Sequence, residues 1–337
     1  MATSTVLAID LGGTKICAAI VDASGKLLAR KTAPVDKRAK LAPVKQMLAL
    51  ADELASYVGK ANRYCAVGVA IPGLVRRDGT VWAPNIPGWD KIPLARLLEK
   101  ELRVPVVVES DRAAAVLGEV FAPKGAARGK SDVVALIVGT GIGAGILTEN
   151  RLLRGAHELS GCAGWMAVTL DDSPEVRQLG CLEAYTAGPG IARTGKAEIK
   201  SGCGGGMANI GADKLSSHDI AELARKGDKA AIEVYRRTGT LLGLAVANLI
   251  SLFDPEVVVF GGGLSGAADC FWSELKQTAL ERCQPISAKK VKVVLSKLGN
   301  DANLLGAAKM AWEAAQQTKP AARARSKKQV KARAAGA

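Results

Sequence analysis

Apolar residues fall in short β-branched blocks, the first being Val6 to Ile9, separated by stretches in which they recur at helical spacing. Continuous apolar runs of about four to eight residues between turn signals mark buried strands. This pattern predicts strands at Thr5–Ile9, Ile16–Val21, Lys26–Thr32, Ala66–Ile71, Val104–Glu109, Val133–Val138, Ala144–Leu147, Val257–Phe260 and Val291–Leu295. Helical periodicity covers Pro43–Tyr57, Ile92–Leu102, Ala113–Phe121, Ser217–Lys226, Ala230–Phe253, Asp269–Cys283 and Ala302–Ala315. Strands alternating with helices give an α/β fold class.

The turns between these strands carry the chemistry. Asp10-Leu11-Gly12-Gly13-Thr14-Lys15 follows the first strand directly. Glycines let the backbone approach a ligand, and successive N–H groups in such a turn form an anion cradle. Thr14 adds a donor and Lys15 a charge. An aspartate beside a phosphate makes sense when Mg²⁺ lies between them, because that ion takes carboxylates together with phosphate oxygens. The alternative is a plain hairpin joined by Gly-Gly. Two further turns favour the cradle: Gly139-Thr140-Gly141 after Val133–Val138, and Gly261-Gly262-Gly263 after Val257–Phe260. The strand at Val104–Glu109 runs into Ser110 and Asp111. Either residue suits a helix N-cap. Alternatively Asp111 accepts a proton from a substrate hydroxyl, as an aspartate does in phosphoryl transfer.

An internal echo organises the chain. Each half opens with an apolar hairpin around a Gly/Thr turn, at residues 5–21 and 133–147. The expectation is two similar α/β domains facing each other across a cleft. The N-terminal domain spans residues 1–124 and is completed by the helix at 302–315. The C-terminal domain spans 125–301, and a disordered basic tail occupies 318–337.

Charge adds a second question. The net charge is +14, and seven basic residues between Lys319 and Arg333, with no acid among them, account for half of it. Such a tail reads as a solubilising appendage, or at most as a weak contact for nucleic acid. No apolar stretch reaches the ~18 residues of a membrane span. The N-terminus has no basic region ahead of its apolar run, so no signal peptide is expected and the assignment is cytoplasmic. Seven cysteines without a CxxC pair fit a reduced compartment.

The set DLGGTK (10–15), AIPGLV (70–75), NIPGW (85–89), ESDRAAA (109–115), GTGIGAGI (139–146), GCLEAY (180–185) and VVFGGGL (258–264) resembles the ROK family of repressors and sugar kinases, from about Val6 to Trp312. The resemblance implies an actin-like ATPase (ribonuclease H-like) fold and a glucokinase-like use of Mg-ATP. It places Asp10 near the metal, which it holds indirectly. Gly12, Gly13, Thr14 and Lys15 fall in the first phosphate loop, and Gly139, Thr140 and Gly141 in the second. Gly261, Gly262 and Gly263 lie along the adenosine. Asp111 occupies the catalytic-base position, and Asn85 and Glu183 occupy sugar contacts. Homodimers are common in the family.

Three positions depart from the pattern. Ser110 stands where the family has Asn. Cys162 and Trp165 stand where it has the Glu and His of Gly-Glu-x-Gly-His. Of the family's four zinc ligands Cys181 alone remains, so no zinc is expected. A pocket that loses hydrogen-bonding groups changes its ligand. Ser110, Cys162 and Trp165 therefore point to an acceptor unlike glucose, such as a deoxy sugar, amino sugar or cyclitol, or to a sensor without catalysis. Trp165 either stacks on the ring of that acceptor or fills the space left by histidine and zinc. A regulator would carry a DNA-binding domain ahead of the first loop, which here begins at residue 10. A polyphosphate-using variant is disfavoured by the intact Gly261–Gly263 turn.

Overall fold

The computed structural model describes residues 4–58 and 64–317. The expected disordered tail at 318–337 lies outside them. Two compact units partition the chain: one takes the described residues up to Pro123 together with those from Asp301 on, the other runs from Lys124 to Asn300.

The first unit is built on β1 (Thr5–Leu11), β2 (Lys15–Asp22), β3 (Leu27–Pro34), β4 (Val67–Ile71) and β7 (Val106–Ser110), in the order β3-β2-β1-β4-β7. A two-stranded ribbon of β5 (Leu74–Val75) and β6 (Val81–Trp82) follows β4. The strands β1 to β3 are antiparallel, whereas β4 and β7 run parallel to β1. Helix α1 (Ala42–Val58) precedes β4, α2 (Leu94–Leu102) precedes β7, and α3 (Asp111–Phe121) follows β7. A last helix over 302–317 returns to this unit, and glycine sets how closely it docks. A Cβ on Gly68 of β4 would lie 1.8 Å from the Ala307 carbonyl oxygen, and one on Gly306 would lie 1.8 Å from that of Ala114 in α3. The Trp312 indole fixes the far end by donating to the Asp22 carbonyl at 3.1 Å.

The second unit repeats the plan. Strands β8 (Val133–Val138), β9 (Ile142–Thr148), β10 (Arg151–Leu152), β11 (Val257–Gly261) and β12 (Lys292–Leu295) lie in the order β10-β9-β8-β11-β12. The same two antiparallel and two parallel pairings recur, so the hairpin echo read from the sequence is a duplication of topology. The 25-residue helix α8 (Lys229–Phe253) packs on α9 (Trp272–Arg282), and Tyr235 of α8 and Phe260 of β11 both contact the Phe271 ring.

Some elements differ from expectation. Residues 174–200, left unassigned above, form α4 (Pro174–Leu179), α5 (Cys181–Thr186) and α6 (Gly188–Lys200). Their glycines read as breakers but serve close packing: a Cβ on Gly190 would sit 2.5 Å from the Ala184 carbonyl oxygen. Pro189 is tolerated because it stands in the first turn of α6. The helix expected from Asp269 begins at Trp272, after a 3₁₀ stretch at Gly263–Cys270. Helix α7 (Ser217–Arg225) starts where expected, on a Ser216/Asp219 capping box, and α10 (Pro285–Ala288) precedes β12. Among the described residues no helix is long and apolar enough to cross a membrane.

Candidate functional site

In the first unit the parallel register sets Asp10 of β1 beside Ala70 of β4, and Ala70 beside Glu109 of β7. Asp111 follows two residues later as the first residue of α3. Both aspartates thus stand at the carboxyl ends of parallel strands, where α/β proteins place ligands. Ser110 is the N-cap of α3: its buried hydroxyl accepts from the Ala113 N–H at 3.4 Å. Asp111 Oδ1 accepts from the Arg112 N–H at 2.8 Å.

The electrostatics of this pair are unusual. Burial pushes the Asp10 carboxyl up to about 6, the Asp111 charge adds to the rise, and a hydrogen bond from Asn303 partly offsets it. Burial also raises Asp111, against the pull of the Arg112 N–H and guanidinium. Two carboxyls raised by burial, one of them also by the charge of the other, fit a site that takes up a cation. Asn303, on the returning helix, was missed from sequence. No local motif marks it, because its role depends on a helix that arrives from the far end of the chain.

The first glycine turn is tight. The Gly12 N–H donates to the Lys15 carbonyl at 2.8 Å, and a Cβ on Gly12 would lie only 3.0 Å from that oxygen. Thr14 and Lys15 are exposed. Exposed Asn85 packs against this turn, its Cβ 3.9 Å from where one on Gly13 would be. The Asn85 turn is rigid because Trp89 is buried beneath it and its indole donates to the Lys40 carbonyl at 2.8 Å.

The second unit brings the other two glycine turns together. Gly262 adopts φ +88°, and a Cβ there would meet the Val138 carbonyl oxygen at 2.4 Å. The next residue, Gly263, places its N–H 3.8 Å from where a Gly139 Cβ would be. A cavity of about 800 Å³ opens beside them. It is lined by Gly139, Thr140 and Gly263, by the start of α6 at Gly188 and Pro189, by Ser216 to His218 and Ala221, and by Arg225, Tyr235, Leu264 and Ala267. The size suits a nucleotide-sized ligand, and no acidic side chain lines the cavity. Of these residues only the glycine turns and Thr140 were read as functional from the sequence; the α6 and α7 ends carry no phosphate motif.

Glu183, on α5, braces the second turn. Its Oε2 accepts from the Ile142 N–H at 2.7 Å, and its carboxylate lies 3.1 Å from where a Gly141 Cβ would be and 2.9 Å from one on Gly164. Gly164 belongs to the short 3₁₀ turn Ala163–Trp165, which Cys162 caps. Trp165 is 60% exposed. The expectation that it fills space left by histidine and zinc therefore fails: its ring is displayed, not packed. Cys181 is buried, its Sγ accepting from the Val168 N–H at 3.4 Å. Among the described residues no three histidine, cysteine, aspartate or glutamate side chains cluster in a way that would hold a metal.

The ROK family profile matches residues 6–314. A glucokinase from Thermotoga maritima is 31% identical over 314 residues, covering 91% of this chain and 97% of its own length. Among solved structures, a ROK hexokinase from Thermus thermophilus superposes with a TM-score of 0.77 at 30% identity, covering 93% of this chain and 99% of that one. A ROK family glucokinase from Streptomyces griseus, in complex with glucose and AMPPNP, gives a TM-score of 0.72 at 30% identity over 92% of this chain and 100% of that one. The fold is accordingly the actin-like ATPase fold with two α/β domains.

Proposed function

The chain belongs to the ROK family, and on that premise we propose that it is an ATP-dependent kinase of a sugar or sugar-like hydroxyl. The observation that carries this reading is the Asp10–Asp111 pair at the carboxyl ends of β1 and β7, on either side of β4, both raised from the ordinary carboxylate value. A general base works best when its pKa approaches the operating pH. Asp111 takes the proton of the acceptor hydroxyl as that oxygen attacks the γ-phosphorus of ATP, and ADP leaves. Asp10, hydrogen-bonded by Asn303, is the residue that would hold Mg²⁺. That ion, when bound, neutralises charge on the transferring phosphoryl group.

The Gly12–Lys15 turn takes phosphate oxygens with its N–H groups and the Lys15 ammonium. Gly139, Thr140 and Gly141 do the same in the second unit, held in shape by Glu183. The apolar wall of Leu264, Ala267, Ala221 and Tyr235 receives the adenosine beside Gly261–Gly263. Asn85, Glu183, Cys162 and exposed Trp165 select the acceptor. With a thiol and an indole in place of two polar groups, this surface favours an acceptor with fewer hydroxyls, or one that presents an apolar ring face to Trp165. Ser110 acts by capping α3, which fixes Asp111. The family includes repressors as well as kinases, and the retained carboxylate pair favours catalysis.

The test is Mg-ATP-dependent ADP release across a panel of hexoses, N-acetylhexosamines, amino and deoxy sugars and cyclitols, with Asp111→Asn as control. Turnover on one acceptor, reduced by about 10²–10⁴ in the control, is the expected result. Undiminished turnover in Asp111→Asn would remove the base assignment.

A further inference from the structure

Arg225, the last residue of α7, makes four hydrogen bonds inside the protein. Its Nε and Nη2 grip both carboxylate oxygens of Asp269 at 2.7 and 2.8 Å. Nη2 also donates to the Gly266 carbonyl at 2.9 Å, and Nη1 donates to Glu222 at 2.8 Å. Four donations from a group with five N–H bonds leave little for a ligand, although Arg225 lines the large cavity.

What it grips explains its place. Gly266 and Asp269 belong to the 3₁₀ stretch Gly263–Cys270, which leaves Gly262 in the left-handed region and breaks helical geometry at Ala267. A 3₁₀ run of this length is intrinsically weak. Cβ atoms on Gly263 and Gly266 would meet nothing within 4 Å, so this face of the stretch has little packing of its own. Yet Leu264 and Ala267 form one wall of the cavity, and Ser217, His218 and Ala221 of α7 form another.

We propose that Arg225 is a positioning residue for the nucleotide, a strut that fixes the Gly263–Cys270 wall against the α7 wall through Asp269 and Gly266. The inference rests on the reading of this cavity as the nucleotide site. The strut acts on nucleotide affinity and leaves the acceptor side untouched. Its bidentate grip is a property of the guanidinium plane, which an ammonium does not reproduce.

The test is binding of a fluorescent ADP analogue to the full chain, with KM for ATP and for the acceptor measured in parallel. Arg225→Ala and Arg225→Lys are both expected to weaken nucleotide binding about tenfold, equivalent to about 1.4 kcal/mol, with kcat and acceptor KM unchanged. Asp269→Asn is expected to weaken it similarly, and the Arg225→Ala/Asp269→Asn double variant no further, because the two act as one unit. Full affinity in Asp269→Asn, or rescue by Arg225→Lys, would show that Arg225 acts as a direct charge on the ligand and would overturn the strut. Unchanged affinity in Arg225→Ala would also overturn the strut, because Arg225 would then contribute nothing to nucleotide binding. A native protein that binds no nucleotide would instead overturn the reading of the cavity itself.

Discussion

Replacing Asp10 with asparagine should stabilise the protein while inactivating it. The Asp10 carboxyl is raised from 3.8 to about 6, first by burial and then by Asp111. A folded-state pKa above the unfolded one means that the folded state binds the proton more tightly. The stability this gives is fully present below pH 3.8 and is lost as pH rises through 6. A shift from 3.8 to about 6 corresponds to about 3 kcal/mol. Above pH 7 the nucleotide-free and Mg²⁺-free protein carries that penalty in full. Asparagine keeps the size and a partner for Asn303 but has no charge to bury. Urea unfolding of the two proteins between pH 4 and 8, without nucleotide or divalent cation, reads the difference. The Asp10→Asn curve should lie close to the native one near pH 4, diverge between pH 4 and 6.5, and stay about 3 kcal/mol more stable above pH 7. A gap that is independent of pH, or a loss of stability at pH 8, would refute the reasoning. Mg²⁺ with ADP should narrow the gap by stabilising the native protein alone.

Further expectations follow from the same contacts. Trp165→Ala should change unfolding free energy by less than about 0.5 kcal/mol, because the ring is exposed, while raising acceptor KM with ATP KM unchanged. Gly306→Ala should destabilise the first unit by about 3 kcal/mol in chemical denaturation, since its methyl would sit 1.8 Å from the Ala114 carbonyl oxygen. Gly164→Ala would press on the Glu183 carboxylate from 2.9 Å, and steady-state kinetics should show KM for both substrates rising together.

The positions of the main strands along the chain, the duplicated hairpins and the three glycine turns were legible because each rests on local pattern: an apolar block followed by residues that only a turn tolerates. The helices of residues 174–200 were not, because Gly180, Gly188 and Gly190 carry the same local signal as a loop. Close approach to Ala184 is what makes glycine necessary at Gly190, and that contact lies in tertiary structure. Asn303 was hidden for a related reason. Its partner Asp10 is nearly three hundred positions away. Glu183 was placed by resemblance among the acceptor contacts, whereas its hydrogen bond to the Ile142 N–H ties it to the Gly139–Gly141 turn as well. Trp165 shows the limit from the other side: the residue type suggests burial, and the backbone displays it.

That display requires the surrounding segment to be held in place, and hydrogen bonds do so around α5. The Leu182 N–H donates to the Met166 carbonyl at 3.2 Å, and Cys181 Sγ accepts from the Val168 N–H. The Tyr185 hydroxyl donates to Asp171 at 2.6 Å, Ser173 donates to the same carboxylate at 2.7 Å, and Arg177 pairs with Asp172. The hydrogen bond to Asp171 holds the Tyr185 phenol up at about 12, and the Tyr185 and Ser173 hydroxyls keep the Asp171 carboxyl below its ordinary value. Tyr185→Phe removes one exposed hydrogen bond, about 1 kcal/mol, and leaves the ring in place. If local opening of this segment precedes cleavage after Arg177, trypsin should nick the variant about fivefold faster than the native protein, because 1 kcal/mol changes the open population by about that factor. Acceptor KM should rise by a similar factor, since Cys162 and Trp165 lie just ahead of the clasp, while ATP KM stays constant. Equal cleavage rates would mean that the hydrogen bonds at Met166 and Val168 hold the segment unaided, and the tyrosine clasp would be irrelevant to the proposed acceptor site.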